Sequence, residues 1–280
     1  MKLLNVAGRL WIEDPTGFVD VTEASAGQFD PDPQAVFDRW AEFRHWARGH
    51  RAPGVSELPD APLHSPVPRP RQVFAVGFNY AEHSGELGTE IPARPVLFPK
   101  LPACIAGPCD VVTLDSAHVD WEVELVVVIG APTRHVGAAQ AWQHVAGLTV
   151  GQDLSDRAEQ FDGATPQYSL AKSAPGFGPI GPWLVTADEL ADPRDLAISC
   201  RLNGDVVQRS RTANLVFGIA ELIEFLSARV PLFPGDLIFT GTPSGIGFSR
   251  TPPRYLRPGD VLDGTIEGIG SLQTRFRAAP

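Results

Sequence analysis

The run His118-Val119-Asp120-Trp121-Glu122-Val123-Glu124-Leu125 places carboxylates at every second position and then continues through Val126, Val127, Val128 and Ile129. On a strand, side chains alternate faces, so residues 120, 122 and 124 share one face. The β-branched run behind them marks an interior strand covered on both sides. Two carboxylates about 4 Å apart repel by about 4 kcal/mol at an effective dielectric of 20. A chain that buries such a row must supply something to offset that repulsion. A hard divalent cation does so most directly, because it takes oxygen ligands. An edge strand with its acids in water is the other reading, and the apolar run that follows argues against it.

A further oxygen donor lies downstream. A short helix-like stretch over residues 136–146 leads into a second apolar strand, Leu148-Thr149-Val150-Gly151-Gln152, which ends at Asp153. Strand–helix–strand spacing of this kind can set the two strands side by side. Glu122, Glu124 and Asp153 would then form an all-oxygen triad. No Cys or His stands at ligand spacing near it, so Mg²⁺ or Mn²⁺ is expected, with Ca²⁺ as the alternative, rather than Zn²⁺. Three protein ligands leave an octahedral ion open positions for water or substrate, which points to catalysis.

The 280 residues carry a net charge of −10 and contain no Lys/Arg-rich block. That excludes nucleic acid and anionic membrane surfaces as expected partners. Only three of the 23 basic residues are lysines (Lys2, Lys100 and Lys172), so each interior lysine is worth checking. No run of eighteen apolar residues occurs, the first residues lack a signal-peptide core, and the three cysteines fit no paired framework. A cytoplasmic setting is therefore expected.

The composition suits one large domain with a small appendage. Residues 1–58 read as a small, separate N-terminal α/β unit: a hairpin around Asp14-Pro15-Thr16-Gly17, then a helix capped by Asp32 with the stripe Phe37, Trp40, Phe43 and Trp46. The Pro-rich residues 59–70 read as a linker. Residues 71–280 alternate strands with Gly/Pro turns and one clear helix over 215–229, the pattern of a β-rich α+β domain.

Four further segments carry chemistry-bearing groups. In Asn79-Tyr80-Ala81-Glu82-His83-Ser84-Gly85-Glu86 a helical turn makes His83 and Glu86 neighbours, an imidazole oriented by a carboxylate and suited to general-base work. Gly85 and Gly88 would let that segment move as a lid. Ser155 is placed to cap a short helix that carries Arg157 and Gln160 on one face. Lys172, between apolar residues and a Gly/Pro turn, would sit half-buried beside the acids and hold an anionic substrate. The loop Thr240-Gly241-Thr242-Pro243 offers backbone N–H groups and hydroxyls to anions, without a P-loop lysine.

Together these segments resemble the fumarylacetoacetate hydrolase superfamily, in family order from about Val73 to the end. The matching motifs include Gly77-Phe78-Asn79-Tyr80-Ala81-Glu82-His83, Asp120-Trp121-Glu122-Val123-Glu124, Gln152-Asp153, Lys172-Ser173 and Thr240-Gly241-Thr242-Pro243. The resemblance implies a catalytic domain of mixed, rolled β-sheets, a homodimer, and a Mg²⁺ or Mn²⁺ ion on Glu122, Glu124 and Asp153, with Asp120 a neighbour. It also implies that Arg157, Gln160, Lys172, Gly241 and Thr242 hold the substrate's oxoacid end, and that His83 and Glu86 form a lid dyad. The activity implied is hydrolysis of a C–C bond in a β-diketo or acylpyruvate-type 2-oxo acid. Decarboxylation, hydration or keto–enol isomerisation on the same ion are the alternatives, and a non-catalytic binding protein is a remote one. Two departures stand out: Gln152 replaces the usual Asn, and residues 174–178 replace a more polar turn.

Overall fold

In the computed structural model, which describes residues 1–50 and 52–280, the valine-rich run is the strand Val123–Ile129, buried along its whole length. It pairs antiparallel with Val145–Gln152 on one side and with Leu237–Phe239 on the other. Beyond Leu237–Phe239 come Val73–Gly77, parallel to it, and Val96–Lys100, antiparallel to Val73–Gly77. Beyond Val145–Gln152 come Gly178–Val185 and the N-terminal strands, so the sheet is mixed. A second, five-stranded sheet holds Asp205–Arg211, Ala197–Leu202, Val261–Ile266, Gly270–Ala278 and Val111–Leu114.

The two faces of the central strand feed different cores. Val123, Leu125, Val127 and Ile129 pack with residues of the second sheet such as Leu262, Leu272 and Phe276. Val126 and Val128 face the other way, onto Leu3, Phe37, Trp40 and Leu237. A run hydrophobic at every position is what a strand covered on both sides requires. The helix Ile219–Ser227, shorter than the expected 215–229, buries Ile219, Leu222, Ile223 and Leu226.

The N-terminal segment differs from the expectation of a separate unit. The hairpin forms as Arg9–Asp14 and Gly17–Asp20, but Lys2–Val6 joins both to the main sheet through Lys2↔Val185 and Leu3↔Leu184. The aromatic stripe straddles a 3₁₀ turn, Ala35–Arg39, and the helix Trp40–Gly49, and covers the even face of the central strand. The supposed linker is packed as well: Leu63–His64 pairs with the first strand, and Val67 is buried. An apolar stripe this large needs a partner face, and the body provides it.

The acidic strand is also not continuous. Val119–Asp120 pairs with Ser155–Asp156 in a small ladder of its own, and the long strand begins only at Val123. Between them the chain bonds to side chains: the Glu122 N–H donates to Gln152 Oε1 (3.2 Å) and the Val123 N–H to Gln208 Oε1 (3.0 Å). Trp121, fully buried, donates its indole N–H to the Gly245 carbonyl at 3.2 Å.

Candidate active site and metal centre

The register Glu124↔Gly151 and Val123↔Gln152 brings the end of one central strand beside the start of the other, so Asp153 arrives next to the glutamates. Carboxylate oxygens of Glu122, Glu124 and Asp153 lie within 4.8 Å of one another, and all three residues are buried. Asp120 is not with them. Its Oδ2 takes Arg157 Nε (3.0 Å), Arg157 Nη2 (2.8 Å) and the Phe248 N–H (3.0 Å), and its Oδ1 takes the Gly247 N–H at 2.7 Å. The break in the strand turns Asp120 away, which leaves three acids rather than four for an ion.

Buried cations account for most of the neutralisation that the sequence argument assigned to metal alone. Lys172 Nζ donates to Glu122 Oε2 and Asp153 Oδ2, each at 2.8 Å. Arg157 Nη2 reaches Glu122 Oε1 at 2.6 Å. Lys100, which sequence reasoning flagged as a rare interior lysine but assigned no role, donates to Asp153 Oδ1 at 2.6 Å and to the carbonyls of Lys172 and Phe177. No motif ties Lys100 to the acids; only the pairing of Val96–Lys100 with Val73–Gly77 delivers it. In this cluster four buried carboxylates (Asp120, Glu122, Glu124, Asp153) thus stand against three buried cations (Arg157, Lys100, Lys172), one acid in excess.

The acid left without a cation is Glu124. Its carboxylate receives the Gly241 N–H at 2.7 Å and has no ion pair among the described residues. Burial, with Asp153 and Glu122 close by, pushes its carboxyl well above the usual range. Burial acts on Glu122 in the same direction, but Lys172, Arg157 and His83 outweigh it and bring Glu122 down to about 2. Burial alone would make Lys172 easier to deprotonate, yet Asp153 and Glu122 raise its pKa, so it stays charged. Three convergent carboxylates, one of them without a counter-charge, suit a divalent ion bound by oxygen.

Gly241 has φ +104°, and a Cβ there would lie 2.7 Å from the Cβ of Asn79, so only glycine lets this loop present its N–H to Glu124. The expected substrate donor Gly241 therefore faces a proposed metal ligand in this structure. Thr242 lines the pocket, with its hydroxyl donating to the Val123 carbonyl and accepting from Gln208 Nε2. Asn79, which sequence reasoning did not single out, pins the loop by donating to the Thr240 carbonyl at 2.7 Å.

The helix Arg157–Gln160 forms where expected, but its cap is Asp156, which accepts the Ala158 N–H; Ser155 donates instead to the Asp153 carbonyl. Arg157 Nη1 holds Gln160 Oε1 at 2.8 Å, so the two share one face. The helix Ala81–Glu86 carries the dyad, with His83 Nδ1 3.1 Å from Glu86 Oε2. Glu86 Oε1 accepts from the Gly245 N–H (2.9 Å) and from Ser249 Oγ (2.6 Å). Burial works to raise the Glu86 carboxyl, but hydrogen bonds from His83, Ser249 and Gly245 together hold it below the usual range. Glu86 thus stays charged and fixes the ring, leaving Nε2 of His83 for proton transfer. Among the described residues His83, Glu122, Arg157, Gln160, Lys172 and Thr242 all line one cavity of about 350 Å³.

A model of the fumarylacetoacetate hydrolase C-terminal domain matches residues 72–277. The chain belongs to the fumarylacetoacetate hydrolase family. Mitochondrial oxaloacetate tautomerase FAHD2A of Bos taurus is 46% identical over 210 residues, 74% of this chain and 67% of that protein. A Mycobacterium smegmatis protein provisionally named HpcE is 49% identical, superposes with a TM-score of 0.94, and matches over 100% of both chains. Fumarylpyruvate hydrolase of Pseudomonas aeruginosa, solved with Mn²⁺ and pyruvate, is 32% identical with a TM-score of 0.68, covering 75% of this chain and 91% of that one. Family members thus include tautomerases and hydrolases, and at least one of them binds Mn²⁺. The tautomerase is mitochondrial, so it lends no support to the expected cytoplasmic setting. No helix among the described residues is long and apolar enough to cross a membrane.

Proposed function

We propose that this family member catalyses proton transfer at the carbon beside the ketone of a 2-oxo acid, a keto–enol tautomerisation, with Mg²⁺ or Mn²⁺ on Glu122, Glu124 and Asp153. The observation that carries this reading is that a carboxylate-held imidazole, His83, lines the same cavity as Glu122 and Lys172. When bound, the ion supplies Lewis-acid polarisation of the ketone, which favours loss of the adjacent proton. Lys172 and Arg157 place positive charge where oxyanion character develops, and burial strengthens that effect. His83 Nε2 takes the proton from C3, the C–H pair becomes the C2=C3 bond as the C=O pair moves to oxygen, and the His83 imidazolium returns the proton to that oxygen to give the enol. Glu86 stabilises the imidazolium in between. The tautomerase relative, at 46% identity, supports this reading.

C–C bond hydrolysis, which the sequence motifs favour, is the second reading. The dyad that supports it is the same: His83 would deprotonate a water aimed at a distal carbonyl, with the cavity open beside it. The two readings separate on a 2,4-dioxo acid, which a hydrolase cleaves into two products and a tautomerase returns intact. Enol decay of an arylpyruvate and of oxaloacetate, followed by absorbance with Mn²⁺-loaded protein, tests the first reading. Product analysis on an acylpyruvate tests the second. Lys172→Met should lower either activity by about 10² to 10³, the usual loss of an oxyanion donor. Turnover that survives exhaustive chelation and Lys172→Met unchanged would remove the basis for both.

A further inference from the structure

The far wall of the cavity differs in chemistry from its floor. Lining it are Phe98, Tyr168, Phe161, Phe248, Leu87 and Ile246, from four separate segments of the chain. Phe161 stacks on Phe248 with ring centroids 5.1 Å apart, and Phe98 stacks on Tyr168 at 5.3 Å. Phe161 is 43% exposed, a large apolar surface left at the cavity edge. The cations lining the cavity are Arg157 and Lys172, and both are already paired with Asp120, Glu122 or Asp153 at the floor. Lys172 Nζ lies 5.4 Å from the Phe98 ring centroid and the Arg157 guanidinium 5.9 Å from that of Phe248, but both are committed to carboxylates of the floor. A second carboxylate at the aromatic wall would find no uncommitted cation, and burying an unpaired charge is costly.

We infer that the substrate is a 2-oxo acid whose C3 substituent ends in an uncharged apolar group, an aryl or short alkyl chain, seated against the Phe161–Phe248 and Phe98–Tyr168 pairs. This rests on the 2-oxo acid reading above and adds the class of the tail. It also parts company with the dicarboxylates in several relatives' names, such as oxaloacetate and 2-hydroxyhepta-2,4-diene-1,7-dioate. Flat rings pack on flat rings at the offset geometry that both pairs display, and a ligand ring would extend either stack. A cavity of about 350 Å³ suits a compact acid with one ring or a short chain, not an extended polymer.

Oxamates test this independently of turnover, because they carry the oxoacid head but no enolisable carbon. Calorimetric titration of Mn²⁺-loaded protein with oxamate, N-benzyloxamate and N-carboxymethyloxamate reads the tail preference directly. The benzyl compound is expected to bind roughly tenfold or more tighter than the carboxymethyl compound, within the range one apolar subsite supplies. Phe161→Arg, at an exposed position that does not hold the fold, should narrow or invert that preference by supplying a cation. Equal affinities, a carboxymethyl preference, or no binding of any oxamate would overturn the inference. Benzyl preference without tautomerase or hydrolase activity would overturn the reaction and leave the tail class standing.

Discussion

The floor and the far wall of the cavity are built on opposite principles. At the floor, six buried charged groups interlock through ion pairs of 2.6–3.0 Å around a seventh, Glu124, and Glu122, Glu124 and Asp153 stand at the ends of two strands at the centre of the main sheet. At the wall, aromatic rings from a strand, loops and short helices stack on one another, and the floor's cations meet them only over the rings of Phe98 and Phe248. A buried charge tolerates little displacement, because losing a partner leaves an uncompensated charge in a low dielectric. Apolar packing tolerates exchange of one side chain for another of similar size. Chemistry common to a family therefore belongs on the floor, and selection among substrates belongs on the wall.

The sharpest test of this contrast is whether damage to the polar machinery ignores the tail. His83→Ala should slow turnover of arylpyruvate and oxaloacetate alike by about 10² to 10⁴, the usual loss for a general base. Glu86→Gln should act in the same direction but less. Loss confined to one of the two substrates in steady-state kinetics would mean that the dyad reads the tail, and the contrast would break.

Next in size is the structural cost of opening the charge network. Asp120→Ala removes the acceptor of two Arg157 bonds, leaving Glu122 as its one carboxylate partner, and leaves the Gly247 and Phe248 N–H groups unpaired. Denaturant unfolding should show a loss of about 3–5 kcal/mol, the cost of breaking a buried pair. A loss of under 1 kcal/mol would show that the floor is as tolerant as the wall.

Metal should act through Glu124. Mn²⁺ at about 100 times its dissociation constant should stabilise the folded protein by about 2.7 kcal/mol. Glu124→Gln removes the one carboxylate without a counter-charge, so the metal-free variant should melt higher than metal-free wild type and respond little to Mn²⁺. A Glu124→Gln protein that is destabilised without metal would move the excess charge elsewhere in the cluster. The smallest effect belongs to the wall: Leu87→Ala should weaken N-benzyloxamate by about 1 kcal/mol, roughly fivefold, and unsubstituted oxamate less. Equal weakening of both would place Leu87 over the floor instead.

Alternation, residue type and the family resemblance together marked Glu122, Glu124, Asp153, the His83–Glu86 pair, Arg157–Gln160 and Lys172 as candidates, because residue type and local spacing are what a sequence carries directly. They could not show that Asp120 leaves the acidic row, since that depends on Gln152 and Gln208 side chains capturing the backbone at residues 122 and 123. Nor could they place Lys100 on Asp153, a contact spanning 53 residues that exists only because its strand lies across the sheet. The N-terminal stripe was legible as a packing face, but its partner was not.

The sequence by itself determined that the acids leading into the β-branched run would be buried, because an interior strand covered on both sides leaves no solvent-facing side there. Only the tertiary structure decided how that charge is met, by three cations from three segments with Glu124 left without a cation. It also decided that the far wall is aromatic, since Phe98, Phe161, Tyr168 and Phe248 are up to 150 residues apart in the chain and share no local pattern. Local periodicity records which face a residue takes, while the partner across that face is set by the pairing of distant strands.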